Sequence, residues 1–157
     1  MGKIINLEEL IGIRQKLKSE SKTLVTTSGC FDILHPAHFR YLEKSKALGD
    51  ILTVFLNDDS SVKKNKGEDR PINHEQDRAY SLSQIISVDY VTLFSEKDAI
   101  EIIRAIRPDV HTKGGSYDQR IEDERKFVES YGGKYITFPL EEGYSTTKII
   151  EALGLSQ

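Results

Sequence analysis

From residue 23 onward, short apolar runs rich in β-branched residues alternate with stretches of helical periodicity, and few architectures accommodate such a pattern. TLVTTSG (23–29) stops at Gly29, ILTVFLN (51–57) is almost continuously apolar, and YVTLF (90–94), DVHTK (109–113) and KYITFP (134–139) follow the same theme. A strand that is apolar at nearly every position is buried on both faces, as in a parallel sheet. Helices are expected over 36–48, 74–86, 98–106, 121–131 and 146–153. Pro36 suits a first helical turn, and Gly49 and the Gly132–Gly133 pair suit helix ends. Upstream, NLEELIGIRQKLKS (6–19) brings Leu7, Leu10, Ile11, Ile13 and Leu17 close to helical spacing, with Asn6 as N-cap and Glu9 three residues on.

Strands alternating with helices specify a parallel sheet covered on both sides. With right-handed crossovers the expected fold is α/β, a Rossmann-like, doubly wound parallel sheet of five strands with helices on both faces. The 157 residues fit a single domain, with residues 1–20 as an N-terminal helical extension. Such sheets bind ligands beyond the carboxyl ends of their strands, where the strand order reverses, so residues just after strands are the first candidates for a site. Residues 58–73, DDSSVKKNKGEDRPIN, are polar throughout and read as a long loop of the kind that is usually functional or disordered.

Composition narrows the partners. The 22 Lys plus Arg against 25 Asp plus Glu leave a net charge of −3, which excludes a strongly basic protein that coats nucleic acid. A single Cys excludes an internal disulfide framework and a four-cysteine zinc site, and favours a reducing compartment. No apolar run approaches the roughly 18 residues of a membrane helix. The start, MGKIINLEEL, lacks the basic-then-apolar layout of a signal peptide. A cytoplasmic protein with no nucleic-acid or membrane partner is expected.

Five motifs follow strands or open helices. In SGCFDILHPAH (28–38), Gly29 permits a tight turn, and His35 and His38 stand three apart at a helix start. Two imidazoles beside a helix N-terminus suit a phosphate. A zinc pair would want a third protein ligand, and only Cys30 and Asp32 are near in sequence. Cys30 reads as a small packed residue, not a nucleophile. The stretch VKKNKGEDRP carries Lys63, Lys64, Lys66 and Arg70, either as phosphate ligands or as a solvated charged surface; Asn57 and Asp58 sit at the end of the preceding strand. In HEQDR, Arg78 is a phosphate-positioning residue or an exposed helical ion-pair partner. In KGGSY, Lys113 precedes Gly114 and Gly115, which permit close backbone approach to a flat ligand. In EGYSTTKII, Ser145 and Thr146 either cap the last helix or line a phosphate site at its N-terminus, with Thr147 beside them.

GCFDILHPAH resembles the H-x-G-H signature of the cytidylyltransferase-like nucleotidyltransferases, with Ala37 in place of the signature glycine. The order HFRYLEKSKALGD, LNDDSSVKKNKGEDRPIN, HEQDR, KGGSY and EEGYSTTKII extends the resemblance over nearly the whole chain. It is most similar to the adenylyltransferase domain of bacterial ADP-heptose synthases, without the sugar kinase fused to it in many bacteria, and so to the stand-alone form. The resemblance implies transfer of AMP from ATP to D-glycero-β-D-manno-heptose 1-phosphate, with Mg²⁺ held mainly by the nucleotide phosphates. A homodimer is implied as well.

By the same resemblance, His35, His38, Lys63 and Lys66 are catalytic. Gly29, Cys30, Phe31, Asp32, Ala37, Lys113, Gly114, Gly115, Ser145 and Thr146 bind nucleotide, and Asn57, Asp58, Arg70 and Arg78 bind phosphate or acceptor. Ser116 stands where the family usually has an acid. Leu140 and Glu141 stand where cytidylyltransferases typically carry Arg-Thr, which favours adenylyl transfer. The alternatives are a cytidylyltransferase acting on glycerol 3-phosphate or ethanolamine phosphate, and a nucleotide-binding regulator that has lost catalysis.

Overall fold

The computed structural model describes residues 1–115, 118–139 and 141–154. Its elements are β1 (Lys3–Ile4), α1 (Leu7–Ser19), β2 (Leu24–Gly29), α2 (Pro36–Lys46), β3 (Ile51–Asn57), α3 (Asp59–Lys66), α4 (Glu75–Ser83), β4 (Tyr90–Phe94), α5 (Ile100–Ile106), β5 (Val110–Gly114), α6 (Gln119–Ser130), β6 (Lys134–Phe138) and α7 (Thr146–Ala152). The strands form one six-stranded sheet in the order β1-β4-β3-β2-β5-β6, and every pairing is parallel. The fold is the expected doubly wound α/β sheet.

Two expectations are corrected. The sheet has six strands among the described residues, not five: Lys3 and Ile4 pair with Tyr90 and Val91 at the edge. A strand of two exposed residues has no period to read. Residues 58–73 are not wholly loop, because Asp59–Lys66 is helical. The Asp58 side chain accepts from the Ser61 N–H and caps that helix, whose apolar content is one buried residue, Val62. With no amphipathic stripe, the helix is invisible to periodicity.

Period-2 alternation sorts the strand side chains onto two faces. Leu24 joins a cluster with Leu10, Leu17, Ile103 and Val128, beneath α1, α5 and α6. Val25 joins Leu42, Ala79 and Leu82, beneath α2 and α4. The N-terminal helix is therefore built into the core. Its predicted capping box forms, with the Glu9 N–H on Asn6 Oδ1 and the Asn6 N–H on Glu9 Oε2, both at 2.9 Å. Buried Arg14 donates to Asp109 at 2.8 Å, Ile106 O at 3.2 Å and Arg107 O at 2.6 Å. Among the described residues no helix is long and apolar enough to cross a membrane.

The order reverses at β2: the chain runs outward to β3 and β4 on one side, then crosses to β5 and β6 on the other. The crevice above the carboxyl ends of β2 and β5 is thus the topological switch point, where ligands bind in sheets of this kind.

Candidate active site

A cleft of about 450 Å³ opens at that point, within the size range of small-molecule sites. Its floor starts with the turn after β2. Phe31 adopts φ 47°, a left-handed conformation unusual for a bulky residue and costing about 1–3 kcal/mol. The Phe31 ring then lies against Gly29, where a Cβ would stand 2.9 Å from its Cε2, so a side chain at position 29 would push the ring aside. The turn delivers His35 as the N-cap of α2 and His38 as its third residue. Their rings stack with centroids 3.8 Å apart, and Phe31 lies 5.3 Å from His38.

The protonation of this pair follows from its surroundings. The His35 backbone N–H donates to His38 Nδ1 at 3.2 Å, so neutral His38 carries its proton on Nε2. Burial, reinforced by the charge of neighbouring His35, lowers the His38 pKa to about 4. Burial also lowers that of His35. At neutral pH both are uncharged, each with one N–H to offer an anion. Burial pushes the Cys30 thiol up, away from the reactive thiolate.

The cleft is lined by Gly29, Cys30, Phe31, Asp32, His35, Ala37, His38, Asn57, Lys66, Arg70, Lys113, Gly114, Gly115, Ser145 and Thr146, all expected from sequence. Three other expected residues are not among its lining. Lys63 is exposed on α3. Asp58 is spent on capping α3. Arg78 is buried, donating to Asn73 O (2.9 Å), Cys30 O (2.8 Å), Asn57 O (2.7 Å) and Asp59 Oδ1 (2.8 Å). It is buried, not an exposed ion-pair partner, and it clasps the carboxyl ends of β2 and β3 together. Ser116 and Leu140 lie outside the described residues.

Several lining residues are already engaged. Asp32 Oδ2 accepts from Arg70 Nε (2.9 Å) and the Ile72 N–H (2.8 Å), and Oδ1 accepts from the Asn73 N–H (2.8 Å). It therefore holds the turn against the loop after α3. The Ser145 hydroxyl caps α7 by accepting from the Lys148 N–H at 2.9 Å, and Thr146 donates to Ile33 O at 2.9 Å. Asn57 donates to Ser61 Oγ at 2.8 Å. Lys113 Nζ donates to Ser28 Oγ at 2.9 Å and stands beside the cleft as a positive charge.

Sequence reasoning missed Tyr41, Lys44, Lys97, Arg120, Glu124 and Tyr144, which also line the cleft. Tyr41 and Lys44 continue the helical stripe begun by His35 and His38, at steps of three residues, and this spacing was the available signal. Arg120 and Glu124 sit in a uniformly charged stretch of α6 that marks out none of its members.

The family model described as cytidylyltransferase-like matches residues 26–152. Similar curated proteins include the bifunctional protein HldE of Pelobacter propionicus, 43% identical over 150 residues, and that of Aliarcobacter butzleri, 48% identical over 140 residues. They cover 96% and 85% of this chain, which spans about a third of their own length (31% and 29%). The lipopolysaccharide core biosynthesis protein from Thermoplasma volcanium has a similar structure, with TM-score 0.64 and 29% identity over 79% of this chain and 99% of that one. A pantoate–β-alanine ligase from Francisella tularensis shares the fold alone, with TM-score 0.68 and 16% identity over 97% of this chain and 77% of that one.

Proposed function

Because this chain belongs to the cytidylyltransferase-like family and is a nucleotidyltransferase, we propose that it transfers AMP from ATP to a sugar 1-phosphate, D-glycero-β-D-manno-heptose 1-phosphate, releasing pyrophosphate. The observation that carries the reading is the stacked His35–His38 pair at the head of α2, in the cleft at the switch point. The order of the motifs and the likeness to a lipopolysaccharide core biosynthesis protein support the heptose acceptor. Glu141 lines the cleft and receives Arg40 Nε at 2.8 Å, which leaves a carboxylate where cytidylyltransferases typically carry a threonine.

An oxygen of the acceptor phosphate attacks the α-phosphorus of ATP in line, and the bond to the pyrophosphate oxygen breaks. The acceptor is already a nucleophile, so the protein positions and stabilises charge. His38 donates from Nε2, and His35 from its protonated nitrogen, to phosphate oxygens as negative charge develops on them. Lys66, Lys113 and the α2 N-terminus add positive potential, and Gly114 and Gly115 admit the nucleoside. Among the described residues no group of three His, Cys, Asp or Glu forms a metal cage, and both Asp32 oxygens are occupied. We place Mg²⁺ on the ATP phosphates, as divalent ions usually sit with nucleotides. Bound there, Mg²⁺ supplies charge neutralisation of the leaving pyrophosphate. The family resemblance extends the proposal to a cytoplasmic homodimer.

The test is magnesium-dependent pyrophosphate release with the heptose 1-phosphate, ATP against CTP. Release with ATP alone is expected. Release with CTP alone gives the cytidylyl assignment, and none with either nucleotide overturns the proposal. His38→Ala is expected to lower turnover about 100- to 1000-fold, the usual loss for one preorganised donor, with an unchanged unfolding midpoint.

A further inference from the structure

On the α5–α6 side of the sheet the cleft reaches Glu124, a residue only 3% exposed, past the apolar side chains of Phe94, Ala99 and Ile121. Glu124 Oε2 accepts from the Tyr135 hydroxyl at 2.6 Å. His111 Nε2 lies 3.9 Å from the same oxygen, is fully buried and has no hydrogen-bond partner, while its Nδ1 meets the Thr26 hydroxyl at 2.7 Å. Burial lowers the His111 pKa to about 3, so this imidazole does not neutralise the carboxylate. Among the described residues, no Lys or Arg pairs with Glu124 and nothing donates to its Oε1. Of the cleft's cations, Lys113 donates to Ser28, and Arg120 donates to Asn65 and Asp118.

A buried carboxylate short of donors repels phosphate and attracts neutral O–H groups. The cleft therefore has a phosphate-binding side at the histidines of α2 and, across the sheet, a carboxylate above an apolar wall that suits the carbon framework of a sugar. We propose that Glu124 is a specificity-determining residue that accepts a hydrogen bond from a substrate sugar hydroxyl, with Tyr135 fixing its position. The donor is the ribose of ATP or the acceptor sugar. This rests on the reading of the cleft as an ATP and sugar-phosphate site.

The test measures calorimetric binding of ATP, 2′-deoxy-ATP and 3′-deoxy-ATP to the wild type and to Glu124→Gln, with kcat and KM for the sugar 1-phosphate in parallel. One hydrogen bond to a charged group separates partners about 10- to 100-fold. The wild type is expected to prefer ATP over one deoxynucleotide by that factor, and the preference is expected to fall below about threefold in Glu124→Gln. An unchanged nucleotide preference with a tenfold or greater rise in acceptor KM also upholds the proposal and assigns the hydroxyl to the acceptor. Preferences and acceptor KM both unmoved in the folded variant overturn it; a purely structural role predicts that result, with only the unfolding midpoint lowered. If Glu124→Gln does not fold, Glu124→Asp withdraws the charge by one methylene and is judged by the same ratios. The nucleotide arm needs no acceptor, so absence of heptose turnover defeats the proposed reaction without touching this one. Failure of the wild type to bind ATP defeats both.

Discussion

Two buried polar networks flank the cleft, one on each face of the sheet, and they are completed to different degrees. On the α2–α4 side, both Asp32 carboxylate oxygens accept from the loop after α3 and every guanidinium nitrogen of Arg78 donates within the protein, with His35 Nδ1 left open at the cleft. On the α5–α6 side, among the described residues, His111 Nε2 has no hydrogen-bond partner and Glu124 has one donor. Leaving a buried polar group unpaired costs about 1–3 kcal/mol, so a closed network is scaffold and an open one is kept at a cost. The closed network holds the ends of β2 and β3 in register for the histidine turn, and the open one meets the cleft at Glu124.

The largest expected effect breaks the closed side. Arg78→Met leaves the Cys30, Asn57 and Asn73 carbonyls without their donor and Asp59 without its ion pair. A loss of about 3–5 kcal/mol is expected in urea unfolding. Arg78→Lys recovers only part of it, because a point charge cannot reach three separate carbonyls and a carboxylate. Full stability in the lysine variant would show that the clasp is mere charge balance.

The open side is read by pH. His111 titrates near 3 and His38 near 4 in the folded chain, both depressed by burial from an unfolded value of 6.5. Between pH 6.5 and 4 the unfolded chain takes up protons that the folded chain refuses, so stability is complete above 6.5 and falls on acidification. Each histidine contributes a slope of about 1.4 kcal/mol per pH unit over that window. His111→Leu is expected to remove one such slope while His38 keeps the other; urea unfolding at a series of pH values measures it. An unchanged slope would mean that His111 is not held neutral.

The helix that leans between the two sides supplies the next effect. Through Asn65, α3 meets Lys97 O at 2.7 Å and Arg120 at 3.2 Å, and it turns Lys66 into the cleft while Lys63 stays in solvent. Lys66→Ala is expected to raise the KM for ATP about tenfold, and Lys63→Ala to change it by less than about twofold. Steady-state kinetics of both variants decide whether the two lysines are equivalent.

The alternation of strands and helices carried the parallel sheet, and the rule of ligands at strand ends carried the site, so about half of the lining was legible from motifs alone. Most of what was not legible depends on partners distant in sequence, and the rest on a helix without periodicity. Arg78 looks like a surface residue until β2 and β3 bring Cys30 O and Asn57 O to it. The role of Lys63 depends on a helix that has one apolar residue. Glu124 gains meaning only when β5 and β6 place His111 and Tyr135 beneath it. Lys3 and Ile4 become a strand only because β4 offers an open edge.

The smallest effect concerns Ala37, in the first turn of α2 on the closed side, where the resembling signature carries glycine. Its side chain lines the cleft beside both imidazoles. Ala37→Gly costs helix stability of under about 1 kcal/mol, because glycine loses more backbone entropy on entering a helix. With the nucleotide placed as proposed, the methyl adds contact surface and removes no hydrogen bond, so the KM for ATP is expected to move by less than about threefold. A stability loss with KM unchanged means that alanine serves the scaffold by stiffening the turn that presents the histidines. A fall in KM well beyond threefold means that the methyl crowds the nucleotide, and the closed side would then tune ligand binding as well as frame it.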